Sequence, residues 1–222
     1  MKILVVVATQ AEIAPLLTRL APFRRGDVFV WGGLHVRVLV AGVGLMATAW
    51  NLGRVLSDEA PDFALQAGVG GAIDRSLSLG EVVYVVSEAV ADLGAETAEG
   101  DLLDLFALGL TDPDGPPFRA GLLHAPPASF LRAVSGVSVN AVHGSAASIE
   151  RLRRRYPHAQ VESMEGAAFF YACLNAGLPF AQIRAISNYV EPRNRDAWNL
   201  SLAIANLNET LWDMLSLLSE EP

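Results

Sequence analysis

Four polar side chains of this sequence stand where an α/β protein places its chemistry. Glu12 closes the stretch "TQAE", directly after the apolar run at the N-terminus. Glu162 and Glu165 crowd the stretch "VESMEGAAFF", and Asn188 follows the apolar stretch "QIRAIS". The carboxyl ends of strands form the edge at which such folds bind ligands. Carboxylates there can act as general bases, and an amide can both donate and accept hydrogen bonds.

The positions of Glu12 and Glu165 can also be explained by the ordinary preference for such residues at helix N-termini. "TQAE" matches a capping box, with Thr9 at the N-cap of a helix and Glu12 at its third position. Ser163 can cap a second helix whose first turn holds Glu165, where the helix dipole favours a carboxylate. The functional interpretation makes Glu12 a general base and Glu165 a carboxylate that accepts from two hydroxyls, with Met164 against an apolar sugar face. The residue types alone leave both interpretations open.

Two glycine clusters follow predicted strands. "GVGLMA" (42–47) contains Gly44 and loosely matches the G-x-G-x-x-A dinucleotide fingerprint, and "AGVGGA" (67–72) contains Gly68. The acidic residue expected about 20 positions on should end the next strand, but Asp58 precedes that strand. Each cluster is either a tight turn without a ligand or a place where backbone N–H groups approach one. Their joint presence at strand ends favours a pocket.

The composition excludes several classes of function. The 222 residues carry a formal charge of −8, which argues against binding nucleic acid or an anionic membrane. Lys2 is the only lysine, so neither a Walker A loop nor Schiff-base chemistry is expected. The single cysteine, Cys173, excludes an internal disulfide and is expected to be a buried core thiol. The four histidines are scattered without the spacing of metal ligands, so neither a metal site nor a cofactor is expected. A short N-terminal apolar run predicts a soluble cytoplasmic protein.

The hydrophobic pattern predicts one α/β domain over residues 1–222, with helices on both faces of a sheet. A Gly-Gly turn within 28–40 implies an antiparallel portion, so the sheet is mixed. Strands are expected at 2–8, 28–31, 34–41, 63–67, 81–87, 137–142 and 180–186, and helices at 10–20, 46–57, 127–134, 146–156, 164–176 and 197–218.

Two charged segments complete the pattern. Residues 94–118 are acidic and glycine-rich and predict a long loop with at most a short helix. This loop is either a solvated excursion or a lid over a substrate. The basic run within 151–155 predicts a solvated helix face.

An ordered set of motifs resembles one superfamily. The motifs are "AGVGLMATA", "QAGVGGAI", "LGEVVYV", "ESMEGAAFFYAC" and "PFAQIRAISN", spread over nearly all of the chain. They resemble the nucleoside phosphorylase and nucleosidase superfamily, whose members cleave the glycosidic bond of purine nucleosides. "ADLGAE", "VNAVHG" and "RAISNYVEPRNR" resemble one branch of it rather than its methylthioadenosine-cleaving members. The resemblance implies a three-layer α/β/α sandwich around a central mixed β-sheet, assembled as a homo-oligomer, with a purine nucleoside as its small-molecule substrate.

The same resemblance implies roles for the candidate residues. Glu12 would activate water, Glu165 would accept from the 2′- and 3′-hydroxyls of ribose, and Asn188 would face the purine. The predicted catalytic residues are therefore Glu12 and Asn188, and the predicted substrate-binding residues are Met164, Glu165, Gly44, Gly68, Ser187, Arg193 and Arg195.

An amide at position 188 predicts which purine is bound. A 6-aminopurine presents a donor at C6 and needs an acceptor, whereas a 6-oxopurine presents an acceptor and needs a donor. Asn188 offers its NH₂ group to O6, and its oxygen can receive N7–H as the base leaves. A buried mismatch costs about 1–3 kcal/mol per unpaired group, so Asn188 favours a 6-oxopurine.

Three other side chains near these motifs have open roles. Arg193 and Arg195 would pair with a carboxylate on a 5′ substituent of the substrate, or else with nearby acids of their own loop. His143 of "VNAVHG" would touch the base or the ribose, and the sequence does not decide which.

The predicted reaction is hydrolysis through an oxocarbenium-like transition state. Two alternatives remain. A phosphorylase for inosine-type nucleosides would need a cationic cradle for phosphate, and the carboxylate of Glu12 would repel that anion. A non-catalytic nucleotide-binding module would use the glycine turns alone.

Overall fold

The computed structural model describes residues 1–127 and 131–219. Within them the chain forms twelve strands, five α-helices and two 3₁₀ turns, Ala21–Phe23 and Arg195–Ala197. The strands are β1 Lys2–Val7, β2 Arg24–Arg25, β3 Val28–Trp31, β4 Leu34–Val40, β5 Phe63–Ala72, β6 Val82–Val90, β7 Gly94–Glu96, β8 Leu102–Asp104, β9 Leu123–His124, β10 Arg132–Ser138, β11 Val161–Ser163 and β12 Phe180–Tyr189. The helices are α1 Gln10–Leu20, α2 Leu45–Asp58, α3 Ala146–Arg155, α4 Gly166–Ala176 and α5 Leu200–Ser219.

Ten of these strands form one mixed sheet, which confirms the predicted fold class. Its order is β11-β10-β6-β12-β5-β1-β4-β3-β2, with β9 beside β6 and a further pairing of β11 with β5. β1 pairs in parallel with β4 and β5, whereas β3–β4, β12–β6 and β11–β5 are antiparallel. Gly32 and Gly33 turn the β3–β4 hairpin with φ of 55° and 80°, as a tight turn between twisted strands requires.

Helices cover the sheet on both faces. Strand β1 is apolar throughout because alternate side chains enter two cores: Val5 packs on the side of α1 and α5, and Val6 on the side of α2 and α4. Cys173 of α4 is buried, and burial raises the pKa of its thiol to about 12, as expected for a core thiol. No helix in the described part of the chain is both long and apolar enough to cross a membrane.

Some predicted elements are wrong. The helix predicted at 127–134 falls partly on 128–130, outside the described residues, and from Arg132 onward the chain is strand β10 instead. This strand pairs with β6, and its Val134 and Val137 are buried, so tertiary contacts override the helix-like spacing. The strand predicted at 137–142 ends at Ser138, and the short strand β11 was not predicted.

The acidic segment 94–118 contains the two-stranded hairpin β7–β8 and turns, and no helix. This hairpin is tied to α3: Arg154 pairs with Asp101 and Arg155 with Asp104, each at 3.0 Å. The basic run is therefore only partly a solvated face. Whether 94–118 is a solvated excursion or a lid over a substrate stays open, as in the sequence-based prediction.

Candidate active site

Strand β5 forms the floor of the candidate site. It lies between β1 and β12, and its residues from Gly68 to Gly71 span about 10 Å. A Cβ atom on Gly68 would stand 2.4 Å from Arg184 Nη1 and 3.2 Å from Glu12 Oε1, and one on Gly71 would stand 3.1 Å from Asn188 Nδ2. The cluster predicted as a strand-to-helix turn is thus part of a strand. Its glycines make room for functional side chains, and none of them needs a positive φ.

Gly44 performs the turn that the other cluster predicted. It is the N-cap of α2 with φ of 92°, a conformation that glycine adopts without strain. Its backbone N–H donates to Glu165 Oε1 over 3.1 Å, so this turn holds a predicted site carboxylate.

Glu12 is held in place by three donors. Its Oε2 accepts from Thr9 N at 2.8 Å and Thr9 Oγ1 at 3.0 Å, and its Oε1 accepts from Val69 N at 3.2 Å. The predicted capping box is therefore formed, and the same carboxylate also reaches β5. The capping role of Glu12, which is 8% exposed, is confirmed, and its role as a general base stays a prediction.

Glu165 is the N-cap residue of α4 and not, as predicted, a residue of its first turn. Ser163 ends β11, although its Oγ still accepts weakly from Gly166 N at 3.4 Å. The buried Glu165 carboxylate pairs through Oε2 with Arg184 Nη1 at 3.3 Å. Met164 lies half-buried between β11 and this cap.

Arg184 was missed by the sequence analysis. It is 1% exposed, and besides Glu165 it donates to Gln66 Oε1 at 3.2 Å and to Gln182 Oε1 at 3.3 Å. An arginine inside the apolar stretch "FAQIRAIS" is itself a signal, because a buried guanidinium needs several partners. We call Glu12, Gly68, Glu165 and Arg184 the carboxylate end of the site.

Glu88 is a second buried group that the sequence analysis missed. It is 1% exposed and accepts from Ser138 Oγ at 2.9 Å. A Cβ atom on Gly166 would stand 1.9 Å from Glu88 Oε1, so this carboxyl fills the space behind the start of α4. Burial raises the pKa of Glu88 to about 7, although Arg184 acts to lower it.

Asn188 lies on β12, beside Gly71. Its Oδ1 is 2.8 Å from Ser187 Oγ, and its Nδ2 donates to the Tyr189 carbonyl at 3.0 Å. Ser187 Oγ also lies 3.3 Å from the Gly70 carbonyl, so β5 helps to orient the amide. One N–H and one lone pair of the amide remain for a ligand.

A cleft runs past Asn188 to a buried acid and a histidine. Glu162 is 4% exposed, its Oε1 accepts from the backbone N–H of His143 at 3.1 Å, and its Oε2 pairs closely with His143 Nδ1. The cleft is lined by Gly71, Val142, His143, Glu162, Asn188, Tyr189, Glu191, Arg193, Asn194 and Trp198. We call Gly71, His143, Glu162 and Asn188 the amide end of the site.

The two arginines of the loop after β12 have different surroundings. Arg193 lines this cleft, and its backbone N–H donates to the Gly144 carbonyl at 3.1 Å. Arg195 lies outside the lining, with its guanidinium 5.8 Å from the ring of Trp198. Within 1–127 and 131–219 neither arginine forms an ion pair, and the neighbouring acid Glu191 pairs with Arg75 instead.

Within the described residues, no three His, Cys, Asp or Glu side chains come together as a metal site would require.

The fold and these residues define a class of protein. The phosphorylase superfamily model matches residues 2–216, and the chain belongs to this superfamily. Solved structures with this fold include the 5′-methylthioadenosine/S-adenosylhomocysteine nucleosidases of Neisseria meningitidis (TM-score 0.78, 18% identity, 96% of this chain and 98% of that one) and Colwellia psychrerythraea (TM-score 0.78, 21% identity, 97% and 95%). At such identities the likeness establishes the fold.

Curated relatives narrow the class further. The chain is similar to the futalosine hydrolase of Streptomyces coelicolor, with 34% identity over 188 residues, 78% of this chain and 76% of the relative. It is also similar to the futalosine hydrolases of Acidothermus cellulolyticus (32% identity, 92% of this chain and 86% of the relative) and Thermus thermophilus (32% identity, 90% and 92%). This confirms the branch to which the sequence motifs pointed.

Proposed function

We propose that the chain is a purine nucleoside N-glycosidase that hydrolyses futalosine in the cytoplasm, as a step of menaquinone biosynthesis. The products are hypoxanthine and dehypoxanthine futalosine. One observation carries the proposal: strand β5 has the carboxylate of Glu12 and the Arg184–Glu165 pair beside Gly68, and the amide of Asn188 beside Gly71. The similarity to futalosine hydrolases supports the substrate.

Glu12 acts as the general base on water. Three donors fix its carboxylate, and its Oε1 lies beside Gly68, 3.2 Å from the place where a Cβ atom of that residue would stand. The water oxygen forms a bond to the anomeric carbon while Glu12 takes the proton. The bond from that carbon to the purine N9 breaks, and its electron pair leaves with the base.

Glu165 holds the ribose and stabilises the cation that develops on it. It accepts from the 2′- and 3′-hydroxyls, and its negative charge lies close to the oxocarbenium-like carbon. Arg184 and the Gly44 N–H orient this carboxylate before the sugar arrives. Met164, beside it, packs on the apolar face of the sugar.

Asn188 receives the leaving group. Its free N–H donates to O6 of hypoxanthine, and its oxygen accepts N7–H once the base has taken up a proton from solvent. Ser187 fixes the amide in the orientation that this pairing needs.

Hydrolysis is favoured over phosphorolysis by the charges of the carboxylate end. Glu12 and Glu165 place two carboxylates there, and the guanidinium of Arg184 is already bound to Glu165 and Gln66. A phosphate ion at this end would therefore meet two negative charges, and the guanidinium of Arg184 is not free to offset them.

The 5′ tail of futalosine carries a benzoate group, and we assign its carboxylate to Arg193 and Arg195. Arginine binds carboxylates through two parallel hydrogen bonds, and both side chains are exposed.

The chain acts as a homo-oligomer, a dimer or larger. Val43, Met46 and Trp50 are 56%, 85% and 67% exposed, and they surround Gly44 at the start of α2. An apolar patch of this kind supports an interface between copies, next to the carboxylate end.

Chromatography of reaction products tests the proposal. The purified protein is incubated with futalosine, inosine and methylthioadenosine, each with and without phosphate. Phosphate-independent release of hypoxanthine from futalosine is expected, with methylthioadenosine left intact. A sugar 1-phosphate product would favour the phosphorylase, and binding without turnover would favour the nucleotide-binding module.

A further inference from the structure

The unassigned pair at the amide end carries a further inference, which rests on the proposed function. His143 is held twice by Glu162, through its backbone N–H and through its ring Nδ1. A carboxylate can only accept, so in the neutral imidazole the proton lies on Nδ1. Nε2 is then an acceptor, and it has no hydrogen-bond partner among the residues that the structure describes.

Glu162 and Asn188 flank the same glycine. Both are cross-strand partners of Gly71, Glu162 on β11 and Asn188 on β12. Adjacent strands lie about 4.8 Å apart, so the two Cα atoms stand about 10 Å apart across a floor without a side chain. Paired residues face the same side of a sheet, which is why Asn188 and the Glu162–His143 pair line one cleft.

The donors and acceptors of this cleft match one edge of a 6-oxopurine. Such a base presents the acceptor O6 next to the donor N1–H. Asn188 supplies a donor to O6, and Nε2 of His143 supplies the acceptor that N1–H needs. A 6-aminopurine presents the reverse pattern, with an acceptor at N1, so it meets a mismatch at both residues.

We propose that His143, fixed by Glu162, accepts N1–H of the purine and is, with Asn188, a specificity-determining residue against 6-aminopurines. Glu162 is a positioning residue, because it acts through the tautomer of His143. The backbone N–H of His143 anchors the first oxygen of Glu162, which leaves the second to set the ring proton.

Base binding measured by calorimetry tests the proposal independently of turnover. Wild-type protein should bind hypoxanthine about tenfold or more tightly than 1-methylhypoxanthine or adenine. His143→Ala should bring the affinities for hypoxanthine and 1-methylhypoxanthine close together, while Asn188 keeps part of the preference over adenine. His158→Ala, which removes an exposed histidine, should leave all three affinities in the wild-type order.

Glu162→Gln gives a sharper readout. The backbone N–H of His143 must still find an acceptor, so the amide oxygen stays there and the amide NH₂ faces Nδ1. Because the amide NH₂ donates to Nδ1, the ring proton moves to Nε2, and Nε2 becomes a hydrogen-bond donor. The variant should lose hypoxanthine affinity and gain adenine affinity relative to wild type, which a purely structural role would not produce.

The outcomes separate the two proposals. Equal binding of hypoxanthine and 1-methylhypoxanthine by wild type, or unchanged discrimination in a folded His143→Ala, would overturn the role of His143. Unfolding of Glu162→Gln, checked by its thermal transition, leaves His143→Ala as the deciding variant. Discrimination between bases without any hydrolysis of futalosine would support the role of His143 and sink the proposed function instead.

Discussion

The two ends of the candidate site differ in how they are built. At the carboxylate end, Glu12, Glu165 and Arg184 are buried. Arg184 pairs with Glu165, and the carboxylate of Glu12 accepts from Thr9 and from the backbone of β5. At the amide end, Asn188 and His143 are only half-buried, and each keeps a hydrogen-bonding position free. The first end therefore fits the proposed role in bond cleavage, which is common to all nucleoside substrates, and the second fits the proposed discrimination between bases.

The largest expected effect is at the carboxylate end. Glu12→Gln keeps the size of the side chain but removes the base, so kcat for futalosine should fall by about 10²–10⁴-fold. Affinity for hypoxanthine, measured by calorimetry, should stay within a factor of about two because the amide end is untouched. Glu99→Gln, on the exposed hairpin, is the matched control. A kcat within tenfold of wild type would remove Glu12 from the mechanism.

Behind the same end, Glu88 predicts a pH dependence of stability. Burial raises its pKa from the ordinary 4.5 to about 7, so folding favours the neutral acid. As the pH rises from 4.5 to 7, the unfolded chain loses this proton before the folded one does. The free energy of unfolding should therefore fall over that range, by about 3 kcal/mol.

Glu88→Gln should abolish this loss. The glutamine resembles the protonated acid, so the thermal midpoint of the variant relative to wild type should rise between pH 5 and pH 8. Thermal denaturation at each pH gives the comparison, with Glu99→Gln as the variant that should follow wild type. Parallel profiles for Glu88→Gln and wild type would contradict the assignment.

At the amide end the expected effects are smaller and concern the choice of base. Asn188→Asp replaces the donor to O6 by an acceptor, at a cost of about 1–3 kcal/mol for the mismatch. The kcat/KM for futalosine should fall about 10- to 100-fold, while that for its 6-amino analogue should rise. The exposed Asn175→Asp is the control. A uniform loss on both substrates would mean that Asn188 does not select the base.

The same contrast separates what the sequence could predict from what it could not. Glu12, Glu165 and Asn188 stand at element ends, where residue type and position are visible in the chain. Arg184 and Glu88 lie within strands, and their roles depend on partners distant in sequence: Arg184 pairs with Glu165, and Glu88 accepts from Ser138. The Glu162–His143 pair likewise depends on the unpredicted strand β11 beside β5. Strand pairing decided these contacts, and local patterns do not encode it.

The smallest expected effect lies at the rim of the amide end. Arg193 lines the cleft and Arg195 does not, so Arg193→Ala should raise KM for futalosine more than Arg195→Ala. Both guanidinium groups are exposed and an exposed ion pair contributes up to about 1 kcal/mol, so the increase should be about fivefold at most. KM for inosine, which lacks the benzoate tail, should not change. If both variants keep the wild-type KM for futalosine, the tail carboxylate binds elsewhere. In that case the amide end recognises the base alone.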